Sequence, residues 1–318
     1  MISRRSLTRL VAAGIVPVAL ALGGCGLAVG PAPSAVQLLV TSEFGAHLLH
    51  RSGSLHASEG ETVESLLTGA YPVRTSPGGG HVASIDGLSA TAATSGEGAR
   101  EWSYYVNGVQ VYKRPAKRGV NLGDHVWWDL HPALHTAVTP ALVGAYPEPF
   151  LNGTEGRRLP IRVECASVSQ SACTTVTESL RRAGVPAAVA GIGSGGAPET
   201  LRVMVGPWVY LESDLEAQSI ARGPQVSGVY VRLPSDGRQL QLLDQQGQTL
   251  RTLGAGAGLI AATTASKEAP VWVITGTDTV GVKLAARSLD SASLEDRFAV
   301  AFQAGAAIPL PLPTPPGR

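Results

Sequence analysis

Asn107-Gly108 constrains this chain more than any other dipeptide in it. Trp102-Ser103-Tyr104-Tyr105-Val106 precedes it and Val109-Gln110-Val111-Tyr112 follows it. Asn-Gly between two such runs specifies a two-residue β-hairpin, because both turn positions need positive φ and these residues tolerate it. Period-2 alternation then puts Trp102, Tyr104 and Val106 on one face and Ser103 and Tyr105 on the other. Trp127 and Trp128 must likewise point to opposite faces. Further strands are expected at 36–41, 81–85 and 125–130. Ser58-Glu59-Gly60-Glu61 has capping-box spacing and opens a short helix, 62–68, that buries Val63, Leu66 and Leu67. Strands around one short helix make a small β-grasp-like module over residues 35–132.

Four runs in that module occur in sequence: Glu59-Gly60-Glu61-Thr62-Val63, then Val82-Ala83-Ser84-Ile85-Asp86-Gly87-Leu88, then Trp102 to Gly108, then Leu122-Gly123-Asp124-His125-Val126-Trp127-Trp128. Together they resemble the transcobalamin C-terminal-like domain of bacterial exported proteins (domain of unknown function 4430). The resemblance covers about a third of the chain. It implies a β-grasp fold and a ligand-facing role, since in transcobalamin the similar domain covers one face of cobalamin beside a helical barrel. Nothing in this chain looks like that barrel.

The second half alternates strand and helix signals, which favours a layered α/β or α+β fold of unassigned topology over 157–303, after a linker at 133–156. Strands are expected at 159–165, 201–205, 229–233, 239–243 and 270–275, and helices at 173–182, 211–222, 259–264 and 280–289. The Pro-rich end, 304–318, reads as a disordered tail. With 44% hydrophobic and 15% charged residues in 318, the chain can bury a real core. A net charge of +1 gives no electrostatic case for a nucleic-acid partner.

The N-terminus reads as an export signal. Arg4, Arg5 and Arg9 precede an apolar run from Leu10 to Leu22 that is too short for a stable transmembrane anchor. Leu22-Gly23-Gly24-Cys25 resembles a bacterial lipobox, which implies cleavage after residue 24, lipidation of Cys25 and a membrane-anchored, extracytoplasmic protein. Residues 25–34 then form a Gly/Pro/Ala-rich tether. Ser3-Arg4-Arg5-Ser6-Leu7 also resembles a twin-arginine signal, so the export route stays open between the two systems. Outside the cytoplasmic membrane the remaining pair, Cys165 and Cys173, is expected as a disulfide, with a free buried pair as the alternative.

Chemistry-bearing motifs are scarce. All seven His lie between His47 and His135, far in sequence from the Cys pair. His125, His131, His135 and Asp129 are close in sequence, but Pro132 disfavours a helix there, and no metal is expected. Gly254-Ala255-Gly256-Ala257-Gly258 lacks the spacing and the Lys of a phosphate loop, so it is read as a connector, with Asp278 as a helix cap. The basic loop 113–118 is either a solvated hairpin end or a contact for anionic headgroups. No nucleophile motif appears, and no resident cofactor is expected.

The ligand candidates are therefore the aromatics on the outer face of the hairpin sheet, Tyr105, Tyr112 and Trp127, with Asn107 at the turn. Trp102, Tyr104 and Trp128 are assigned to the core. The expected function is non-enzymatic capture of a small molecule, with a corrinoid as one option. Its partners would be the membrane, through Cys25, and a transporter or envelope protein. A structural or interaction role in the cell envelope is the alternative.

Overall fold

Val36, Leu38 and Val40 alternate with Leu39 and Thr41, and all five are buried, so the first strand has two covered faces rather than one. The computed structural model describes residues 35–76, 80–91, 99–133, 139–194, 197, 199–264 and 269–314. The signal segment, Cys25 and the tether lie outside the described residues, as do Gly78, Gly79 and His135.

The N-terminal half opens with β1 (Val36–Ser42) and β2 (His47–Leu55), followed by α1 (Val63–Ala70). Three short strands come next, β3 (Val73–Thr75), β4 (Val82–Ile85) and β5 (Leu88–Ser89). The Asn107-Gly108 hairpin joins β6 (Arg100–Val106) to β7 (Val109–Gln110), and β8 (His125–Pro132) closes the sheet. Asn107 and Gly108 both have positive φ, 53° and 78°, as the turn demands. Strand order is β2-β1-β8-β6-β7, with β1 and β8 parallel at the centre, a β-grasp arrangement. The helix starts one residue later than expected, and its capping box is Thr62 with Ser65 rather than Ser58 with Glu61. Thr62 caps the Ser65 N–H and the Ser65 hydroxyl caps the Thr62 N–H in return, while Val63, Leu66 and Leu67 are buried as expected.

After β9 (Thr139–Pro140), the second half runs β10 (Ile161–Cys165), α2 (Gln170–Arg182), β11 (Ala188–Gly191) and β12 (Leu201–Pro207). Three short helices follow, α3 (Trp208–Leu211), α4 (Leu215–Ala221) and α5 (Pro224–Ser227), then a small antiparallel sheet of β13 (Val231–Arg232), β14 (Leu240–Leu243) and β15 (Thr249–Leu253). The chain ends with β16 (Gly258–Thr264), β17 (Val271–Gly276), α6 (Thr279–Arg287), α7 (Ser291–Leu294), β18 (Ala299–Gln303) and β19 (Ala306–Leu310). The main sheet has the order β11-β10-β12-β17-β16-β18-β19. Its first four strands are parallel and its last three antiparallel. This is an α+β chain with an α/β second half. Apolar residues of α2 and α6 cover one face of the main sheet.

Several expectations need correction. Residues 259–264 form β16, not a helix: the strand is buried along its whole length between two antiparallel neighbours, so its apolar run has no alternation to reveal it. The single helix expected over 211–222 is broken, because Asp214 turns back to accept the Glu216 and Ala217 N–H groups and starts a new helix. The Pro-rich end holds a strand: β19 pairs with β18, Leu312 donates its N–H to Leu243 O, and Pro309 is tolerated because the strand is at the sheet edge. The stretch expected as a linker packs Leu142, Val143, Tyr146 and Phe150 into the core.

Cys165, at the end of β10, is disulfide-bonded to Cys173 in α2. The closed loop is short, so chain entropy alone gives the bond about 2–3 kcal/mol. Reduction should lower the urea midpoint accordingly. An unchanged midpoint would contradict that account.

Candidate functional site

The proposed ligand face of the hairpin sheet is not open. Tyr105 and Trp127 are fully buried against Phe298, the residue just before β18, with ring centroids 5.4 and 5.6 Å away. They belong to a core cluster that also holds Leu39, Phe44, Leu142, Tyr230 and Leu259, so the second half covers that face. Trp102, Tyr104 and Trp128 are in the opposite core, over α1, as expected. Asn107 is also buried, and its amide is committed. Nδ2 donates to Asp124 Oδ1 and to Gly153 O, both at 2.9 Å, and Oδ1 accepts from the His125 N–H at 2.8 Å. It fastens the hairpin to the 140–156 segment. Only Tyr112 of the four is exposed. It borders a hollow of about 130 Å³ with Lys113, Arg114 and Trp102, too small for a drug-sized ligand.

The structure offers a different site. A cleft of about 820 Å³ lies between the β1–β2 turn and β19. Ser42, Glu43, Phe44, His47 and Arg100 line it from the N-terminal half, and Arg297 and residues 307–314 from the C-terminal half. One wall is apolar, with Ile308, Leu310 and Leu312 between prolines. Arg100 is ion-paired to Glu43 at 2.5 Å and donates to Leu130 O.

The turn carrying Phe44 is held from beneath. Glu43, Phe44 and Gly45 all have positive φ, a run that needs external support. Asp129, fully buried in β8, supplies it: Oδ1 accepts the Phe44 N–H at 3.0 Å and Oδ2 the Gly45 N–H at 2.9 Å. The Thr41 hydroxyl also donates to Asp129, and His131 Nδ1 sits 2.8 Å from it. Thr41 in turn accepts the Trp127 indole N–H. His131 stacks on Phe44 with centroids 4.5 Å apart. Gly45 must be glycine for a second reason, since a Cβ there would lie 2.0 Å from Asp296 O. Asp129 and His131 are therefore parts of a packing hub under the cleft.

A second, more polar cleft of about 550 Å³ opens between β1–β2 and the 144–152 segment. Gln37, Arg51, His125, Glu148, Asn152 and Glu295 are among its lining residues. Burial pushes the Glu148 carboxyl up to about 7, although Asn152 donates to both of its oxygens. Burial holds His125 down at about 4.

These two groups act oppositely on stability. Folded Glu148 keeps its proton up to about pH 7, against 4.5 in the unfolded chain, so stability falls as pH rises through that window. His125 is neutral in the fold down to about pH 4, against 6.5 unfolded, so its contribution rises with pH over that range. Each limb is worth about 3 kcal/mol and they nearly cancel where they overlap. Urea unfolding of Glu148→Gln should then show stability rising by about 3 kcal/mol more than the parent does between pH 4.5 and 7. Parallel pH profiles for the two proteins would refute the assignment.

The remaining motifs are structural. The Gly254–Gly258 stretch is a connector whose Gly256 N–H is held by Asp278 Oδ2 at 2.8 Å. Asp278 Oδ1 caps α6 through the Val280 and Gly281 N–H groups. In the basic loop, Arg118 is buried and lies 3.9 Å from Asp124. No helix among the described residues is long and apolar enough to cross a membrane.

Fold and clefts together define an α+β protein in which a β-grasp module is packed on an α/β layer. A family model described as Domain of unknown function (DUF4430) matches residues 60–132, so the chain carries that domain in its N-terminal half. The match takes in α1 and β3 to β8, and leaves β1 and β2 outside it. No curated protein matches the chain.

Proposed function

We propose that the chain is a lipid-anchored protein of the extracytoplasmic membrane face that binds, rather than transforms, a small amphipathic molecule in the cleft between Phe44 and β19. The observation that carries this reading is the cleft itself. Its volume of about 820 Å³ falls within the range of small-molecule sites, and both halves of the chain contribute to its walls. An apolar wall with Arg100, Arg297 and His47 among the polar groups suits a ligand with a flat apolar body and acceptor groups at its rim. The transcobalamin-like resemblance makes corrinoids the first ligands to try. Cys25 would hold the site at the membrane, beside a transporter or another envelope protein.

Calorimetry of the full mature chain against cobalamin and related corrinoids tests the ligand. Ala307→Trp, which fills the cleft from an exposed position on β19, should weaken binding at least tenfold, while Tyr112→Ala leaves it unchanged. The opposite pattern would move the site to the hairpin, and no heat with any corrinoid would remove that ligand class. Cys25→Ala should move the protein from the membrane to the soluble fraction. Unchanged fractionation would refute the anchor.

An interaction role in the envelope draws on different residues. Val209 and Tyr210 on α3 and Leu215 on α4 are exposed apolar side chains close in sequence beyond the carboxyl end of β12. Crosslinking from position 210 to an envelope protein in cells would favour that reading.

A further inference from the structure

Glu148 is a nearly buried carboxyl group that lines the second cleft. It is 6% exposed, yet among the described residues no Lys or Arg forms an ion pair with it. Among the described residues its two oxygens accept from Asn152 alone, one bond to each oxygen. A buried carboxylate without a cation is costly, and such groups are ordinarily paired or neutralised. The charges around it do not supply the missing partner. Asp124 adds negative potential, and Arg158 opposes it only at a distance. Arg51, the one Lys or Arg among the described residues lining the cleft, is already shared between Glu295 and Asp296. His125 lines the same cleft, is held neutral by burial and has a buried Nδ1 with no hydrogen-bond partner.

We propose that this second cleft is a site for a small organic cation, an alkylammonium group that donates hydrogen bonds to the Glu148 carboxylate and to His125 Nδ1. The site is separate from the Phe44 cleft and does not depend on what that cleft binds. An ammonium group brings three donors and one positive charge to a place with unused acceptors and an uncompensated negative one. Gln37, Ser54 and Ser291 add further polar atoms around it, and Ala145, Pro147 and Leu151 give an apolar side for a short alkyl chain.

The site should be proton-linked. At pH 8 most Glu148 is ionised, and at pH 5.5 only a few per cent is, given a carboxyl that titrates at about 7. The apparent affinity for a primary alkylammonium, charged at both pH values, therefore falls roughly 30-fold between them. The experiment is calorimetric titration of the full mature chain with n-butylammonium at pH 8 and pH 5.5, with 1-butanol as the uncharged control. Binding at pH 8 that weakens about 30-fold at pH 5.5, with no heat from 1-butanol, is the expected result. Glu148→Gln should abolish binding at both pH values while circular dichroism stays native. Should that variant fail to fold, a carbon-13 carboxyl titration of the parent decides the matter, because saturating n-butylammonium must lower the Glu148 midpoint. No binding at pH 8, pH-independent binding, or an unmoved carboxyl titration would each overturn the proposal.

Discussion

An excised fragment spanning 35–132 should not hold its native fold, although that stretch looks like a self-contained module in sequence. Its sheet has two apolar faces. Leu38, Val63, Trp102, Tyr104 and Trp128 cover one another around α1, and this core would survive excision. Leu39, Phe44, Tyr105 and Trp127 would not keep theirs, because their neighbours are Leu142, Tyr230, Phe298 and other residues of the second half. Fully exposing such a side chain costs about 1.5–3 kcal/mol, so four of them amount to about 6–12 kcal/mol. That is comparable to the whole stability of an ordinary domain, about 5–15 kcal/mol. The Asn107 bond to Gly153 O is lost as well. Thermal and urea unfolding of the fragment should show no cooperative transition, with strong binding of a hydrophobic dye. A sharp transition and a dispersed NMR spectrum would mean that the second half is a lid rather than part of the core.

The same residues show how far the sequence could be read. Alternation identified which side chains share a face, and the structure keeps each set together: Trp102, Tyr104 and Trp128 on one side, Tyr105 and Trp127 on the other. What alternation does not carry is the identity of the second face's cover, because Phe298 lies more than 150 residues away in the chain. By alternation alone, a sheet with two covered faces therefore looks like one with an open side. The fault recurs in β16, where a strand buried on both faces shows only a short apolar run, and such a run does not distinguish strand from helix. Composition misled in one more place. Prolines at 309, 311 and 313 suggested disorder, yet Ala304-Gly305 makes a tight turn with positive φ and returns the chain along β18. Composition gives no sign that this segment forms one wall of the larger cleft. The local signals (the Asn-Gly turn, the Asp278 cap, the Cys pair) survived because each rests on residues only a few positions apart.

Asp129→Ala should be among the most damaging single substitutions in the chain, and it reaches the larger cleft without touching its lining. The carboxyl group is fully buried and accepts from Thr41, the Phe44 N–H and the Gly45 N–H, with His131 Nδ1 beside it. Alanine leaves the Phe44 and Gly45 N–H groups buried without an acceptor, removes the partner of His131 Nδ1, and leaves the Thr41 hydroxyl only a 3.5 Å contact to Trp128 O. Each stranded donor costs about 1–3 kcal/mol, partly relieved by relaxation, so a total of about 4 kcal/mol is expected. Asparagine retains one acceptor oxygen but turns an NH₂ toward donors, and should cost about half as much. The loss would not be spread evenly. Glu43, Phe44 and Gly45 hold positive φ only while their N–H groups are tied down, so this turn should open before the sheet does. Hydrogen exchange at Phe44 and Gly45 should accelerate far more than at Val126 or Trp128, and ligand affinity in the larger cleft should fall with it. Thr41→Val is a milder probe of the same hub, since it removes one donor and the acceptor of the Trp127 indole N–H. A stability change below about 1 kcal/mol for Asp129→Ala, or uniform exchange across the sheet, would show that the turn is held by packing of Phe44 against His131 and Phe298 instead. In that case the larger cleft owes its shape to aromatic contacts between the two halves, and Phe298→Ala, not Asp129→Ala, would collapse it.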